Sequence, residues 1–158
     1  MSSRQSTIRR GQSVDLAAAR ALLEGAGLPT ADLTSARDLH LWVIETKESV
    51  FGVIGMERFG TCALLRSLVI GAGYQRRGFG HQLVARLERE ARADGVEELV
   101  LLTNTAEKFF SAIGYEVIDR RSVREEIKQS AEFSTLCPAS AVCMKKLLAS
   151  SRVAVSHG

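Results

Sequence analysis

The apolar positions of the chain follow two different rhythms. Between Leu39 and Ile70 they form three strand-like runs, Leu39–Glu45, Val50–Arg58 and Cys62–Ile70, with turns supplied by Lys47-Glu48 and Phe59-Gly60. Runs this close in sequence leave room only for tight turns, so the pattern predicts an antiparallel meander. From Gly80 to Asp94 the rhythm is helical. Leu83, Val84, Leu87 and Ala91 recur on one face, and Arg86, Arg89, Glu90 and Arg92 occupy the other. Gly95 fits the position just past that helix. Leu99–Leu102 is a solid apolar run, as expected of a strand buried on both faces. Ala106–Ile113 reads as a second helix closed by Gly114, Tyr115–Ile118 as a strand, Arg124–Gln129 as a helix and Ala141–Leu148 as a closing strand.

Upstream of the meander, Thr7–Arg10 reads as a short first strand. Ser13 fits an N-cap, with Asp15 in the first turn. Leu16, Arg20 and Leu23 then mark a helix that stops at Gly25 or Gly27. Leu28 to Asp38 reads as a loop with one helical turn after Pro29. The whole predicts an α+β fold: a mixed sheet of about seven strands flanked by about four helices, antiparallel strands first and a parallel pair after. Residues 1–158 read as a single domain with an ordered core over about 6–148, and residues 1–5 and 149–158 read as tails.

Composition narrows the class. The chain has 158 residues, 46% apolar and 25% charged, the balance of an ordinary globular protein. A net charge of +3 suits a phosphorylated ligand as well as nucleic acid. With no aromatic-plus-basic stripe, a nucleic-acid partner is not expected. No apolar run approaches the roughly 20 residues of a membrane span, and Met1–Arg10 has no apolar core of a signal peptide. Cys62, Cys137 and Cys143 are sparse and odd in number, which suggests free thiols and a cytoplasmic location.

The sharpest chemical feature is Ile70-Gly-Ala-Gly-Tyr-Gln-Arg-Arg-Gly-Phe-Gly80, which leads from a strand into a helix. Such a turn exposes backbone N–H groups and the positive end of a helix dipole, both suited to a phosphate. Gly78 and Gly80 let the backbone approach a ligand closely. Arg76, Arg77 and His81 add positive charge. An ordinary solvated turn has the same composition, so these residues alone leave anion binding at even odds. The two common nucleotide-binding alternatives, a P-loop and a dinucleotide fingerprint, are absent.

In order and spacing these residues resemble the GNAT (Gcn5-related) N-acetyltransferases. Their signature, Gln/Arg-x-x-Gly-x-Gly/Ala after a strand ending in Leu-x-Val, is matched by Gln75-Arg76-Arg77-Gly78-Phe79-Gly80 after Leu68-Val69-Ile70. Thr103 to Tyr115 looks like the family's strand 5 and helix 4. Leu101-Leu102-Thr103 with Ala106 and Phe109-Phe110 is similar to the acetyltransferase domain of N-acetylglutamate synthases. Glu132 to Met144 resembles short members associated with arsenic resistance.

The resemblance implies direct transfer from acetyl-CoA to the amine of a small molecule, plausible acceptors being an amino acid or a toxic analogue of one. No metal is implied, and a homodimer is a common assembly for the fold. The pyrophosphate would rest on Gln75–Gly80, with Phe79 and His81 in the same turn. The pantetheine arm would pair with Leu68, Val69 and Ile70 where the sheet splays between strands 4 and 5. The backbone amide of Leu68 would meet the thioester carbonyl. Thr103, Asn104 and Phe110 fall at positions that contact the cofactor.

The proton-transfer positions depart from the family pattern. The strand-4 glutamate is matched by Leu64 and the helix-4 tyrosine by Phe110, so neither can move a proton. Glu57 is a catalytic candidate on the preceding strand, although a residue there is ordinarily solvated. Arg66 and Ser67 are candidates for the acceptor, Arg66 as a carboxylate clamp. Tyr74 reads as a packing residue. Cys137 has no histidine partner for nucleophilic work, and Cys137 with Cys143 reads as two ordinary thiols. No Cys/His cluster has metal-ligand spacing. The rival function class is an acyl-CoA-binding sensor or partner module without turnover.

Overall fold

In the computed structural model, which describes residues 5–31, 33, 39–130, 133 and 140–148, the elements follow the sequence rhythms closely. The strands are β1 (Thr7–Arg10), β2 (Leu39–Glu45), β3 (Val50–Phe59), β4 (Cys62–Ile70), β5 (Glu98–Thr103), β6 (Glu116–Ile118) and β7 (Val142–Leu147). The helices are α1 (Leu16–Gly25), α2 (Phe79–Ala93), α3 (Glu107–Ala112) and the single turn α4 (Glu125–Lys128). The sheet is mixed, in the order β1-β2-β3-β4-β5-β7-β6. β1/β2 and β2/β3 are antiparallel. β4/β5 is the parallel pair, and its register covers Cys62↔Glu98 to Leu64↔Val100 only. The last strand in sequence, β7, lies between β5 and β6 and is antiparallel to both. The tails, residues 1–4 and 149–158, lie outside the described residues, as does most of the expected 28–38 loop.

The chain forms two compact units, Met1–Glu57 with Arg66–Arg89, and Arg58–Leu65 with Glu90–Gly158. In the first, alternation along β2 sends Leu41 and Val43 to one face. There they pack with Ala19 and Leu23 of α1, Val53 of β3 and Val69 of β4. α1 ends where the sequence allows. Gly27 takes the left-handed conformation at φ 73°, and the Leu28 N–H returns to the Leu23 carbonyl at 2.9 Å.

The entry to α1 differs from expectation. Ser13 is not the cap. A 3-10 turn over Ser13–Asp15 precedes the helix, with Gln12 at its N-cap, and the Asp15 carboxylate accepts from the Gln12 N–H at 2.7 Å. Asp15 has this role because Arg9 holds it from β1, Nη1 to Oδ2 at 2.9 Å and Nη2 to Oδ1 at 3.0 Å. The same guanidinium reaches Glu45 of β2, Nε to Oε2 at 2.8 Å. One arginine thus ties the edge strand, the helix entry and β2 together.

In the second unit, Cys62, Leu64, Val100, Val123, Ile127, Phe133 and Cys143 share one apolar core. The unit is closed by main-chain bonds, Glu97 N–H to the Thr61 carbonyl at 2.7 Å and Leu148 N–H to the Glu97 carbonyl at 2.9 Å.

Two stability tests follow. The Arg9 hydrogen bonds, then the Gln12 N–H, hold the Asp15 carboxyl below its ordinary 3.8. A depressed carboxyl contributes stability above its unfolded value and loses it as pH falls through the folded one. Asp15→Asn should cost about 1–2 kcal/mol at pH 7. The gap to wild type in urea midpoints should narrow below about pH 4; a gap independent of pH would refute the assignment. At Gly52 on β3, a Cβ would lie 2.7 Å from Ile44 Cγ2 and 2.8 Å from Ile70 Cδ1. Gly52→Ala should therefore destabilise by about 1–3 kcal/mol in thermal melts.

Candidate functional site

β4 carries an irregularity that decides where its side chains point. Ser67 sits inside the strand at φ 63°, in the left-handed region. Regular alternation would put Arg66 and Val69 on opposite faces. They share one. Arg66 meets Glu57, whose register partner Leu39 packs on the same core as Val69. Ile70 points the other way, toward the Ile44 and Gly52 side. Ser67 therefore acts as the extra residue of a β-bulge, which resets the strand for Leu68, Val69 and Ile70.

A buried ion pair sits at the same place. Arg66 Nη1 lies 3.3 Å from Glu57 Oε1, and Arg66 Nε donates to Ser67 Oγ at 3.3 Å. Glu57 is 5% exposed, Arg66 2% and Ser67 9%. Glu57 is thus not the solvated strand residue expected from its position. Its partner across the β3/β4 hairpin offsets part of the cost of burying it. Arg66, expected as a clamp for an acceptor, has its guanidinium covered and engaged within the sheet.

The loop after β4 is pinned where it leaves the strand. The Gly71 N–H donates to the Phe51 carbonyl at 2.7 Å, and Gln75 Nε2 donates to the Ile70 carbonyl at 2.9 Å. The Tyr74 ring stacks on Phe51 at 4.0 Å, and Phe79 meets Phe51 edge-on at 4.9 Å. Tyr74 is the packing residue expected, and the trio anchors the loop on β3 at its middle and at its helical end. Arg76 adopts φ 65° and Gly78 φ 84°. A Cβ built on Gly78 meets no protein atom within 4 Å, so within the chain the demand for glycine there is its backbone angle. Successive backbone N–H groups in a turn that includes a left-handed residue form a concavity suited to an anion.

α2 starts directly behind the loop. Its entry bond runs from the Gln82 N–H to the Gly78 carbonyl at 3.1 Å. The preceding N–H groups, at Phe79, Gly80 and His81, stand at the positive end of a fifteen-residue helix. Arg76, Arg77 and His81 are exposed beside it, and Phe79 and Gly80 are half-buried.

The remaining candidates lie in the second unit. Thr103 Oγ1 accepts from the Ala106 N–H at 2.9 Å and caps the turn into α3, and Asn104 is exposed in that turn. Phe110 is 4% exposed and packs edge-on against Phe109 and Tyr115, at 5.0 and 5.3 Å. Leu64 is wholly buried in the core. Burial, and then the Glu98 carboxylate, push the Cys62 thiol up to about 12, and burial pushes Cys143 up to about 11. Both stay protonated at neutral pH, which suits ordinary core thiols. Cys137 lies outside the described residues. Among the described residues no group of three or more His, Cys, Asp or Glu side chains could hold a metal. No described helix is long and apolar enough to cross a membrane.

Sequence reasoning missed the bulge at Ser67, the left-handed Arg76 and the burial of Glu57 with Arg66. One signal was available for the pair. Glu57 and Arg66 are opposite charges within two apolar strands joined by a tight turn, where cross-strand pairing is the economical way to bury both.

Comparison with known proteins places the chain. A family model described as an acetyltransferase (GNAT) domain matches residues 29–130, more than half of the chain, and the chain belongs to that family. No curated protein matches it by sequence. Among solved structures, N-acetylglutamate synthase from Neisseria gonorrhoeae, complexed with coenzyme A and N-acetyl-glutamate, is similar with a TM-score of 0.78 at 18% identity. That match covers 92% of this chain and 35% of the synthase, so the chain spans about a third of that relative's length. Rv2747 from Mycobacterium tuberculosis, solved with CoA, has a TM-score of 0.75 at 21% identity, covering 90% of this chain and 99% of its own. A GNAT-family acetyltransferase from Staphylococcus aureus Mu50 has a TM-score of 0.76 at 12% identity, covering 92% of this chain and 100% of its own. At these identities the likeness is one of fold.

Proposed function

We propose that this GNAT acetyltransferase, with the whole chain as one acetyltransferase domain, passes the acetyl group of acetyl-CoA directly to the amine of a small molecule. The acceptor class is an amino acid or a toxic amino-acid analogue. The observation that carries the donor half is the pinned loop Gln75–Gly80 on the N-terminus of α2. Left-handed Arg76 and Gly78, the exposed Arg77 and the leading N–H groups of the helix together make a cradle for a pyrophosphate. The reset strand Leu68–Ile70 supplies main chain for the pantetheine arm, and the Leu68 N–H is the donor to the thioester oxygen. Synthase and Rv2747 structures solved with coenzyme A support the choice of cofactor.

In this reading the amine nitrogen attacks the thioester carbon, and negative charge gathers on oxygen at the Leu68 N–H. The C–S bond then breaks, giving the amide and the CoA thiol. The proton lost by the nitrogen leaves through water, and the thiolate takes one from water. Leu64 and Phe110 are buried and apolar, so the two positions that resemble the family's proton carriers contribute no proton. The amino-acid class rests on the likeness to N-acetylglutamate synthase. The arsenic-resistance likeness of residues 132–144 adds toxic analogues to the acceptors worth testing.

Thiol release from acetyl-CoA, followed against a panel of amino acids and amino-acid-like toxins, tests the reading. Release that depends on at least one amine is expected, and slow hydrolysis indifferent to every amine would overturn it. Arg76→Ala with Arg77→Ala should raise KM for acetyl-CoA by roughly 3- to 30-fold with kcat nearly unchanged. The buried apolar side chains at Leu64 and Phe110 favour a second reading, a CoA-binding module without turnover. Tight CoA binding by calorimetry with a silent panel would establish that instead.

A further inference from the structure

We infer that the buried Glu57–Arg66 pair is a positioning device for acetyl transfer: it holds Ser67 in its left-handed conformation and thereby aims the Leu68 N–H. The inference rests on the reading of Leu68 as the donor to the thioester oxygen.

In a regular strand, neighbouring side chains point to opposite faces, so residues 66 and 67 could not touch. Here Arg66 Nε donates to Ser67 Oγ at 3.3 Å, a contact made with Ser67 left-handed at φ 63° and one that regular alternation would prevent. Its energy therefore favours the bulged strand over the regular one. A serine at positive φ is costly on its own and persists only when its surroundings over-determine it. The surroundings of Ser67 do so. Arg66 Nη1 is fixed by Glu57 Oε1 at 3.3 Å from the neighbouring strand, and the side chains of the two are 0% and 7% exposed. Burial of this kind makes a weak case for stability, since an apolar pair of similar size would serve as well. It makes a better case for direction, because a guanidinium fixes angles that methyl groups do not. Leu68 follows immediately, and the plane of the Ser67–Leu68 peptide turns with the Ser67 backbone. A donor rotated away from the developing oxyanion loses its effect on the transition state while the rest of the cofactor stays bound. Glu57 and Arg66 are thus positioning residues that act through Ser67.

The experiment reads the carbonyl itself. Infrared difference spectra of acetyl-CoA carrying a 13C-labelled carbonyl, bound to the full chain, report the hydrogen bond to the thioester oxygen with or without turnover. In wild type the band should lie below its position in buffer. In Ser67→Ala, and in Glu57→Gln with Arg66→Met, where no lone charge is left buried, most of that shift should vanish. In the same variants kcat should fall roughly tenfold or more, with KM for acetyl-CoA and the CoA Kd within about twofold. Arg66→Lys should recover part of the shift. Ser67→Gly, which tolerates positive φ without help, should restore part of the rate in the pair-less background. A wild-type shift that survives loss of the pair in folded protein, losses confined to KM or Kd, or no rescue by glycine would each overturn the positioning role alone. A wild-type band with no shift would remove the Leu68 reading, and the inference with it. Should the double variant fail to fold, Ser67→Ala and Arg66→Lys decide the matter.

Discussion

A single left-handed residue inside β4 sets the register of everything that follows it. Cys62 and Leu64, before Ser67, belong to the core of one unit, and Val69, after it, to the core of the other. Were Ser67 extended, Val69 would turn out of its core and Ile70 would turn into it, since a one-residue slip reverses every side chain beyond it. Gly52 shows how closely this is specified. Ile44 and Ile70 crowd the space above it so tightly that a single methyl group has no room. The strand end is then tied down at Ile70 and Gly71 by Gln75 and by the Phe51 carbonyl. The loop's position is therefore inherited from the bulge through consecutive short constraints.

The cost of that arrangement is local. Ser67 and Arg76 are the two described non-glycine residues at positive φ, and they bracket the strand end and the loop. Strain of this kind is of order 1–3 kcal/mol per residue, small beside the burial of Leu41, Val43, Val53 and Val69 but large beside one exposed hydrogen bond. It can be kept only where neighbouring contacts are dense. Phe51 provides that density, with Tyr74 on its face and Phe79 at its edge. The apolar core thus holds a main-chain conformation that the loop residues would not adopt alone.

What the sequence made legible follows from this division. The strands β2, β3 and β4 and the helix α2 were readable within a residue, because their apolar periods are long and their turns sharp. Gly95 and Gly114 marked left-handed helix ends, since glycine is the usual choice there, whereas Gly78 was read for close approach to a ligand and is left-handed as well. Ser67 and Arg76 gave no sign, because neither residue type advertises positive φ. The pairing of β7 between β5 and β6 was hidden for another reason. Periodicity reports which face of a strand is buried and says nothing of its neighbour. The cap at Gln12 was misplaced to Ser13 because propensity weighs one residue, whereas Arg9 and Asp15 chose the turn together.

The proposed donor site is built largely from main-chain atoms: loop amides, the leading N–H groups of α2 and the Leu68 N–H. Such atoms are present in any sequence that reaches the same backbone, which is compatible with a shared fold at 12–21% identity. Side chains then matter where the backbone needs an unusual angle or a fixed direction. Gly78 is one such place, and Ser67 with its Arg66–Glu57 support is the other. By the same logic the acceptor and the proton route depend on side chains outright. In the proposed reading, the buried and apolar Leu64 and Phe110 stand at the positions that resemble the family's proton carriers. On that reading the chemistry of this chain lies in how the thioester oxygen is held more than in which residue carries the proton.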